Sequence, residues 1–261
     1  MTNVASSLAR RAIGLVDLTE LGDLATEADV TALCARADGP HGAVAAVCVW
    51  PRHVAHAAAL LSRTPVRIAT VVNFPSGDEP IDSVVESALA AQADGADEID
   101  LVLPYRPFMD GQSAIAAAMV AAVRRVVASG DGRRLKVILE TGELVDLAVI
   151  GGAAELAIRN GADFIKTSTG KTPISATLAA TSVMLGTIRR LDPAVGLKPS
   201  GGIRSLADAA GYLDQADRLM GPQWVSSATF RFGASGLLTA LEAAIDGNDT
   251  DTGTDTGAAS Y

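Results

Sequence analysis

Short apolar runs rich in valine, isoleucine and leucine recur along the chain. Several of these runs lack regular polar alternation, which is typical of parallel strands that are covered on both faces. Glycine-containing turns separate the runs from longer segments with helical spacing. The runs predict eight strands, at residues 14–17, 44–49, 67–72, 98–103, 135–140, 163–167, 195–198 and 229–232.

Apolar residues three and four positions apart fill the segments between these runs, as on the buried face of an amphipathic helix. Ile81, Val84 and Ala88 line one such face, and Ser205 is predicted to be the N-cap of a later helix. The predicted helices cover residues 26–37, 51–62, 81–89, 115–126, 144–160, 175–191, 206–213 and 235–245.

Eight strand–helix pairs in a chain of 261 residues predict the α/β class and a single (β/α)8 TIM barrel that spans residues 1–245. The alternative is a doubly wound open sheet, which is less favoured because no Gly-x-Gly-x-x-Gly turn follows the first predicted strand. Residues 246–261 are rich in aspartate, threonine and glycine. Their composition predicts a flexible acidic tail that ends in Tyr261.

The composition excludes several classes of protein. The net charge is −9, so we expect no nucleic-acid partner, because a duplex binder needs a basic face. No apolar stretch reaches membrane-spanning length, and the first residues do not form a secretory signal. Two cysteines, Cys34 and Cys48, cannot build a disulfide framework. We therefore expect a cytoplasmic protein without a membrane partner.

Polar residues lie at the carboxyl ends of most predicted strands. In a barrel these ends meet on one face, and that face carries the active site. The candidate residues are Asp17, Thr19, Cys48, Asn73, Asp100, Glu140, Thr141, Lys166 and Lys198.

Two of these candidates are lysines in apolar strands. Period-two alternation places Lys166 on the same face as Phe164, and Pro199 favours an extended conformation for Lys198. Burial inside a barrel lowers the pKa of a lysine, and a second ammonium group lowers it further, which gives the neutral amine that a Schiff base requires. Alternatively, either lysine is an ordinary solvated residue. The residues alone do not rank Lys166 above Lys198.

Asp100 ends a third buried strand and is the natural partner of these lysines. A carboxylate in this place can accept a proton directly or through a water molecule. Its alternative role is a structural salt bridge with one of the lysines, and the two roles are compatible.

Glycine-rich turns follow the last two predicted strands. Gly201 and Gly202 follow the seventh strand, whereas Ser235 and Gly236 follow the eighth and open a helix. Backbone N–H groups at such turns bind anions, and barrels often bind phosphate at these two strand ends. Lys171 could add positive charge to this site. The alternatives are plain turns and a solvated loop lysine.

Metal and thiol chemistry have little support. His53 and His56 lie three residues apart without an acidic or cysteine partner, so we interpret them as surface residues. Cys48 is interpreted as a small buried residue and not as a nucleophile. We expect no cofactor and no metal.

Several ordered motifs between about residues 13 and 245 resemble the deoxyribose-phosphate aldolase family. The most specific is Phe-Ile-Lys-Thr-Ser-Thr-Gly-Lys at residues 164–171. The other motifs are Asp-Leu-Thr at 17–19, Asn-Phe-Pro at 73–75, Ile-Leu-Glu-Thr-Gly-Glu-Leu at 138–144, Lys-Pro-Ser-Gly-Gly-Ile-Arg at 198–204 and Arg-Phe-Gly-Ala-Ser at 231–235.

The resemblance implies a barrel that reversibly cleaves 2-deoxyribose 5-phosphate to glyceraldehyde 3-phosphate and acetaldehyde. It implies that Lys166 is the Schiff-base nucleophile, that Lys198 tunes it and that Asp100 relays protons through water. By the same resemblance the substrate-binding residues are Asp17, Thr19, Cys48, Thr169, Lys171, Gly201, Gly202, Ser235 and Gly236. Gly236 departs from the family, which often has a second serine there.

Some relatives in this family end in a tyrosine, so Tyr261 is a further candidate for covering the site. The expected partners are a small sugar phosphate and an aldehyde, and a homo-oligomer is possible. Two other functions stay open on the sequence: a lysine-dependent barrel aldolase or isomerase for another sugar phosphate, and a phosphosugar-binding protein without catalysis.

Overall fold

Eight parallel strands form the centre of the protein in the computed structural model, which describes residues 2–128 and 132–247. The strands are β1 (Val16–Glu20), β4 (Ala46–Val49), β5 (Arg67–Val72), β6 (Glu98–Val102), β7 (Arg134–Ile138), β8 (Phe164–Lys166), β9 (Gly196–Lys198) and β10 (Phe232–Ala234). Their order is β10-β1-β4-β5-β6-β7-β8-β9. A short antiparallel hairpin, β2 (Asp38–Gly39) with β3 (Gly42–Ala43), follows the second helix.

Two parallel bridges close this sheet into a barrel. They join Leu197 to Phe230 and Ser200 to Gly233, and so connect β9 with β10 and the segment that leads into it. The predicted (β/α)8 barrel is therefore confirmed.

Helices alternate with the strands and cover the outside of the barrel. They are α1 (Thr2–Ile13), α2 (Glu27–Ala37), α3 (Val54–Leu61), α4 (Ile81–Ala93), α5 (Tyr105–Met109), α6 (Ser113–Val126), α7 (Thr141–Leu144), α8 (Leu147–Arg159), α9 (Leu178–Leu191), α10 (Leu206–Met220) and α11 (Leu237–Asp246). None of the helices in the described part of the chain is both long and apolar enough to cross a bilayer.

Local sequence explains where several helices begin. Ser205 accepts a hydrogen bond from the backbone N–H of Asp208, whose carboxylate accepts one from the Ser205 N–H. This reciprocal pair satisfies N–H groups that the first turn leaves unpaired, and it confirms Ser205 as an N-cap. Thr26 and Asp29 form the same capping box at α2.

The hydrophobic core lies between the strands and the helices. Outward-facing strand residues such as Ile99 and Ile165 are fully buried in one large apolar cluster, together with helix residues such as Leu185 and Ile188. Burial of each such side chain contributes roughly 1.5–3 kcal/mol. The inward-facing residues are of a different kind, because many of them are charged.

Two strands lie later in the chain than the sequence predicts. β1 extends to Glu20, because Thr19 and Glu20 pair with Cys48 and Val49 of β4. Residues 229–231 only bridge to β9, and β10 begins at Phe232, where pairing with β1 starts. The helices α1, α5 and α7 were not predicted. Residues 248–261 of the predicted acidic tail, including Tyr261, lie outside the described residues.

Candidate active site

A cluster of seven ionisable side chains fills the barrel interior. Strand register places these residues on neighbouring strands, with Asp100 opposite Lys136 and Lys166 opposite Lys198. Each is at most 3% exposed. The members of this buried charge cluster are Asp17, Glu98, Asp100, Lys136, Lys166, Lys198 and Arg231.

Asp100 binds three amines. Its Oδ1 lies 2.8 Å from Nζ of Lys136, and its Oδ2 lies 3.0 Å from Nζ of Lys166 and 2.9 Å from Nζ of Lys198. Burial alone would raise the pKa of this carboxyl group, but the three lysines outweigh burial and hold the pKa well below its usual range. Asp100 is therefore ionised at neutral pH.

Lys166 and Lys198 differ in their ionisation although they share an oxygen of Asp100. Burial and the charge of Lys198 lower the pKa of Lys166, and the single carboxylate beside it does not compensate. Lys198 also lies 2.6 Å from Oδ2 of Asp17. Burial opposes its charge, but two carboxylates outweigh burial and raise the pKa of Lys198. The structure thus makes the distinction that the residues alone could not make.

Three members of the cluster, Lys136, Glu98 and Arg231, are not among the candidates that the sequence predicts. Nζ of Lys136 lies 2.5 Å from Oε2 of Glu98 and 3.3 Å from Oδ2 of Asp17. The guanidinium group of Arg231 lies 2.6 Å from Oδ1 of Asp17 and 3.0 Å from Oε1 of Glu98. A sequence signal existed, because Glu98 and Asp100 alternate in one apolar strand and Lys136 interrupts another.

The predicted substrate residues of β1 and β4 lie deep in the barrel. Asp17 is fully buried and engaged in ion pairs, and its pKa is lowered by Lys198, Lys136 and Arg231 against the effect of burial. Oγ1 of Thr19 donates to the backbone oxygen of Asp17 over 2.9 Å. Burial raises the pKa of the Cys48 thiol, so this group stays protonated. The prediction that these residues contact substrate stays a prediction.

Glu140 organises the loop that follows β8. It has left-handed backbone angles and is fully buried, and its carboxylate accepts hydrogen bonds from N–H and Oγ1 of Thr169 and from Oγ1 of Thr172. Burial raises the pKa of Glu140 against the effect of these donors. The sequence pattern predicts Glu140 at a strand end but indicates no role for its side chain.

The glycine-rich turns after β9 and β10 lie side by side, as predicted. The N–H of Gly201 donates to the oxygen of Gly233 over 3.3 Å, and the N–H of Gly233 donates to the oxygen of Pro199 over 2.9 Å. Gly202, Ser235 and Gly236 are exposed on the same face of the barrel. Gly202 has φ +77°, which an L side chain rarely adopts.

Gly236 is the N-cap of α11, and no side chain caps this helix. Its first N–H groups are directed towards the turn, as in anion-binding sites of other proteins. The loop after β8 lies close by, because a Cβ placed on Gly201 would lie 3.6 Å from Cα of Gly170. Nζ of Lys171 in this loop lies 2.8 Å from Oδ1 of Asp23. Lys171 is therefore not a simply solvated lysine.

The interpretation of His53 as a surface residue is wrong. It is 6% exposed, and its Nε2 lies 3.0 Å from the backbone oxygen of Ala25. His53 ends a short 3-10 turn, Pro51–His53, and thus lies just before α3 and not on its face.

The fold and the site together are those of a barrel aldolase, a carbon–carbon lyase that uses lysine. A family model described as DeoC/LacD family aldolase matches residues 11–242, and the chain belongs to this family.

Curated and solved relatives agree with this assignment. The chain is 52% identical over 227 residues to the deoxyribose-phosphate aldolase of Agrobacterium fabrum. The matched region covers 87% of this chain and 87% of the relative. It also resembles a structure from Toxoplasma gondii that is described as a deoxyribose-phosphate aldolase. The TM-score is 0.86 and the sequence identity is 27%, over 96% of this chain and 98% of the other. For the tetrameric deoxyribose phosphate aldolase of Aeropyrum pernix the TM-score is 0.74, with 26% identity over 92% and 91% of the two chains.

Proposed function

We propose that this protein reversibly cleaves 2-deoxy-D-ribose 5-phosphate to D-glyceraldehyde 3-phosphate and acetaldehyde through a Schiff base on Lys166. The observation that carries the proposal is the pairing of Lys166, an amine of lowered pKa, with Asp100 at the carboxyl ends of the strands. The substrate follows from the named relative, which is 52% identical over most of the chain. We infer deoxyribonucleotide catabolism as the context.

The first chemical step forms the imine. The neutral Nζ of Lys166 attacks the C1 aldehyde of the open-chain sugar to give a carbinolamine, and uptake of a proton with loss of water then gives an iminium ion. This cation is an electron sink beside C2. A protonated lysine has no lone pair for the attack, so the lowered pKa of Lys166 raises the fraction of reactive enzyme at neutral pH.

The second step breaks the C2–C3 bond. A base removes the proton of the C3 hydroxyl group, C3 becomes the aldehyde carbon of glyceraldehyde 3-phosphate, and the electrons of the C2–C3 bond form an enamine between C1 and C2. Protonation at C2 and hydrolysis then release acetaldehyde and restore the amine. The iminium nitrogen makes this possible, because no free carbanion forms.

Asp100 and Lys198 supply the proton transfers in this proposal. Asp100 relays the C3 hydroxyl proton through a water molecule, and its low pKa means that it passes the proton on and does not retain it. Lys198 shares Oδ2 of Asp100 with Lys166, so it tunes the amine and lies within reach of the same proton path.

The sugar phosphate is proposed to bind at the two glycine-rich turns. Gly202, Ser235 and Gly236 present an exposed turn and a helix N-terminus, and Lys171 contributes positive charge from the neighbouring loop. Thr169 is held beside them by Glu140. Backbone N–H at Gly236 would take the place of the serine hydroxyl that the family often has. We propose that the sugar part of the substrate binds near Asp17, Thr19 and Cys48.

Reduction with borohydride in the presence of substrate tests the function directly. The chain has four lysines, Lys136, Lys166, Lys171 and Lys198, so peptide mapping has few alternatives. We expect one stable adduct on Lys166 in the wild-type protein and none there in Lys166→Arg, whose guanidinium group is not a nucleophilic amine. Full aldolase activity in Lys166→Arg would refute the assignment.

The substrate is tested separately. Deoxyribose without its phosphate should react far more slowly, because remote binding energy positions the reacting carbon. Equal efficiency with both sugars would reject the phosphate site. Product analysis with other sugar phosphates distinguishes a related aldolase or isomerase, and a phosphosugar-binding protein would give no adduct.

Compartment and assembly are part of the same proposal. Both cysteines are free and buried, and a phosphorylated substrate is confined to the compartment that makes it, which supports a cytoplasmic site of action. We propose a homo-oligomer, since the Aeropyrum pernix relative is described as tetrameric. Sedimentation of the purified protein tests this.

A further inference from the structure

The buried charge cluster is electrically balanced only for one ionisation state of Lys166. It holds three carboxylates, Asp17, Glu98 and Asp100, and three cations apart from Lys166. With these six groups ionised, the sum of charges is zero; Arg67, which approaches Oε1 of Glu98 to 4.0 Å, is 42% exposed and is not counted in the buried cluster. A neutral Lys166 keeps that balance, whereas a protonated Lys166 adds a net positive charge inside the barrel.

Lys136 makes more of the contacts that produce this balance than any other cation of the cluster. Its Nζ lies within 3.3 Å of an oxygen of each of the three carboxylates. On Asp100 it binds Oδ1, whereas Lys166 and Lys198 share Oδ2. Lys136 is fully buried. It therefore neutralises Asp100 from the side that faces away from the proposed nucleophile.

The other titratable groups near Lys166 do not take over this role. Within the described residues, Asp100 is the one carboxylate that lies within 4.0 Å of Nζ of Lys166. Glu140 faces it from the end of β7 but is directed towards Thr169 and Thr172. Cys48 faces it from β4 as a thiol whose pKa burial raises.

We propose that Lys136 is a positioning residue of the aldol reaction, which compensates the charges of Asp100, Asp17 and Glu98 so that Lys166 stands beside Asp100 as an uncharged amine. The inference rests on the proposed function, since it concerns the amine that would form the imine. Lys136 is fully buried, and in this proposal it is not a group that touches the substrate. Its effect passes through Asp100.

Charge compensation predicts that replacement of Lys136 and replacement of Glu98 shift the pKa of Lys166 in opposite directions. Removal of the Lys136 cation leaves one excess negative charge, which proton uptake by Lys166 would cancel, so the pKa of Lys166 should rise. Removal of the Glu98 charge leaves one excess positive charge, so that pKa should fall further. Low effective polarity inside the barrel makes both effects larger than on a surface.

The test measures the rate of imine trapping by borohydride, with acetaldehyde as the probe, between pH 5 and pH 10. For Lys136→Met we expect the profile to shift to higher pH by about one unit, which is about a tenfold loss of trapping rate on the acid side of the profile, where the protonated amine predominates. For Glu98→Gln we expect a shift to lower pH. The double variant Lys136→Met/Glu98→Gln lacks one charge of each sign, and its profile should return towards that of the wild type.

Lys136→Arg is the matched control, because it keeps the cation and should keep the profile. A purely structural Lys136 would lower kcat or stability and leave all profiles at the wild-type pH, which would overturn the inference. If circular dichroism shows that Lys136→Met is unfolded, Glu98→Gln decides alone: an unmoved or alkaline-shifted profile rejects charge compensation. Absence of any adduct on wild-type Lys166 would instead reject the proposed function.

Discussion

Lys166 and Lys198 approach the same carboxylate oxygen, with Nζ atoms 3.0 and 2.9 Å from Oδ2 of Asp100. Of the two, only Lys198 has a second carboxylate among the residues that the structure describes, namely Asp17 at 2.6 Å. This asymmetry raises the pKa of Lys198 and leaves that of Lys166 lowered by burial and by the charge of Lys198. One additional contact thus shifts the pKa values of two neighbouring lysines in opposite directions.

Replacement of Lys198 by methionine should remove the charge that depresses the pKa of Lys166. Lys166 would then have Oδ2 of Asp100 to itself, so it would be protonated at neutral pH. We expect kcat/KM at pH 7 to fall by about 10²-fold or more, since both the amine and the proton relay are affected. Kinetics from pH 6 to pH 10 should show partial recovery on the alkaline side.

Lys198→Arg serves as the control for this variant, because it keeps the like charge next to Lys166. Its pH profile should lie close to that of the wild type, even if kcat falls through altered proton transfer. A Lys198→Met profile that does not move relative to Lys198→Arg would show that Lys198 does not tune Lys166.

Asp100→Asn should separate imine formation from carbon–carbon cleavage. The amide cannot accept the C3 hydroxyl proton, so we expect kcat for cleavage to fall by about 10²- to 10⁴-fold. Lys166 would lose its anionic neighbour, and this loss favours the neutral form of the amine. Borohydride trapping of acetaldehyde on Lys166 should therefore persist. Parallel loss of trapping and cleavage in a folded variant would show that Asp100 acts on the amine and not on the substrate proton.

The convergence of Asp100, Lys166 and Lys198 could be predicted from sequence, because the carboxyl ends of parallel strands meet on one face. Their strands were recognisable as continuous runs of apolar residues. Lys166 and Lys198 were ranked by the structure only, since the decisive neighbour, Asp17, comes from a strand 149 and 181 residues earlier in the chain.

Lys136 and Glu98 stand out as charged residues in apolar strands, but their partners and those of Arg231 could not be predicted by the same reasoning. Glu98 begins β6 and Arg231 precedes β10, whereas the interior of a barrel is usually filled by branched apolar residues. The partners of Arg231 in the cluster are 214 and 133 residues away in sequence. Local patterns predict which face of a strand is buried, but not which charges meet there.

Glu140→Gln should weaken substrate binding more than chemistry. Glutamine offers an NH2 group where Thr169 and Thr172 donate hydrogen bonds, so one donor loses its acceptor at a cost of about 1–3 kcal/mol. The loop that carries Thr169 and Lys171 would then be less well positioned, and we expect KM for the phosphorylated sugar to rise by roughly tenfold. Steady-state kinetics with and without the phosphate measure this.

The exposed Glu143 three residues later provides the control. Glu143→Gln should have wild-type KM and kcat, because its side chain is not part of this hydrogen-bonded loop anchor. If Glu140→Gln lowered kcat at unchanged KM, Glu140 would act on the reaction itself and our assignment would be wrong.

The free energy of unfolding should fall at both extremes of pH. The pKa values of Asp17 and Asp100 are lowered by their lysine and arginine partners, so their stabilisation is complete above the unfolded value of 3.8 and is lost as the pH falls below it. The pKa values of Lys136 and Lys198 are raised by carboxylates, so their contribution is complete below 10.5 and is lost as the pH rises above it.

Lys166 should have the opposite effect, because its folded pKa is lowered. Between that lowered value and 10.5 the unfolded chain binds a proton that the native protein does not, so Lys166 makes the free energy of unfolding rise with pH. Burial raises the pKa of Cys34 to about 11, which works against this rise above pH 9. Urea unfolding of wild type and Lys166→Met isolates the lysine, since the other groups are common to both. We expect the free energy of unfolding of the wild type to increase relative to that of Lys166→Met as the pH rises from 7 to 10.5. A constant difference between the two free energies would show that Lys166 is not a neutral amine in the native protein.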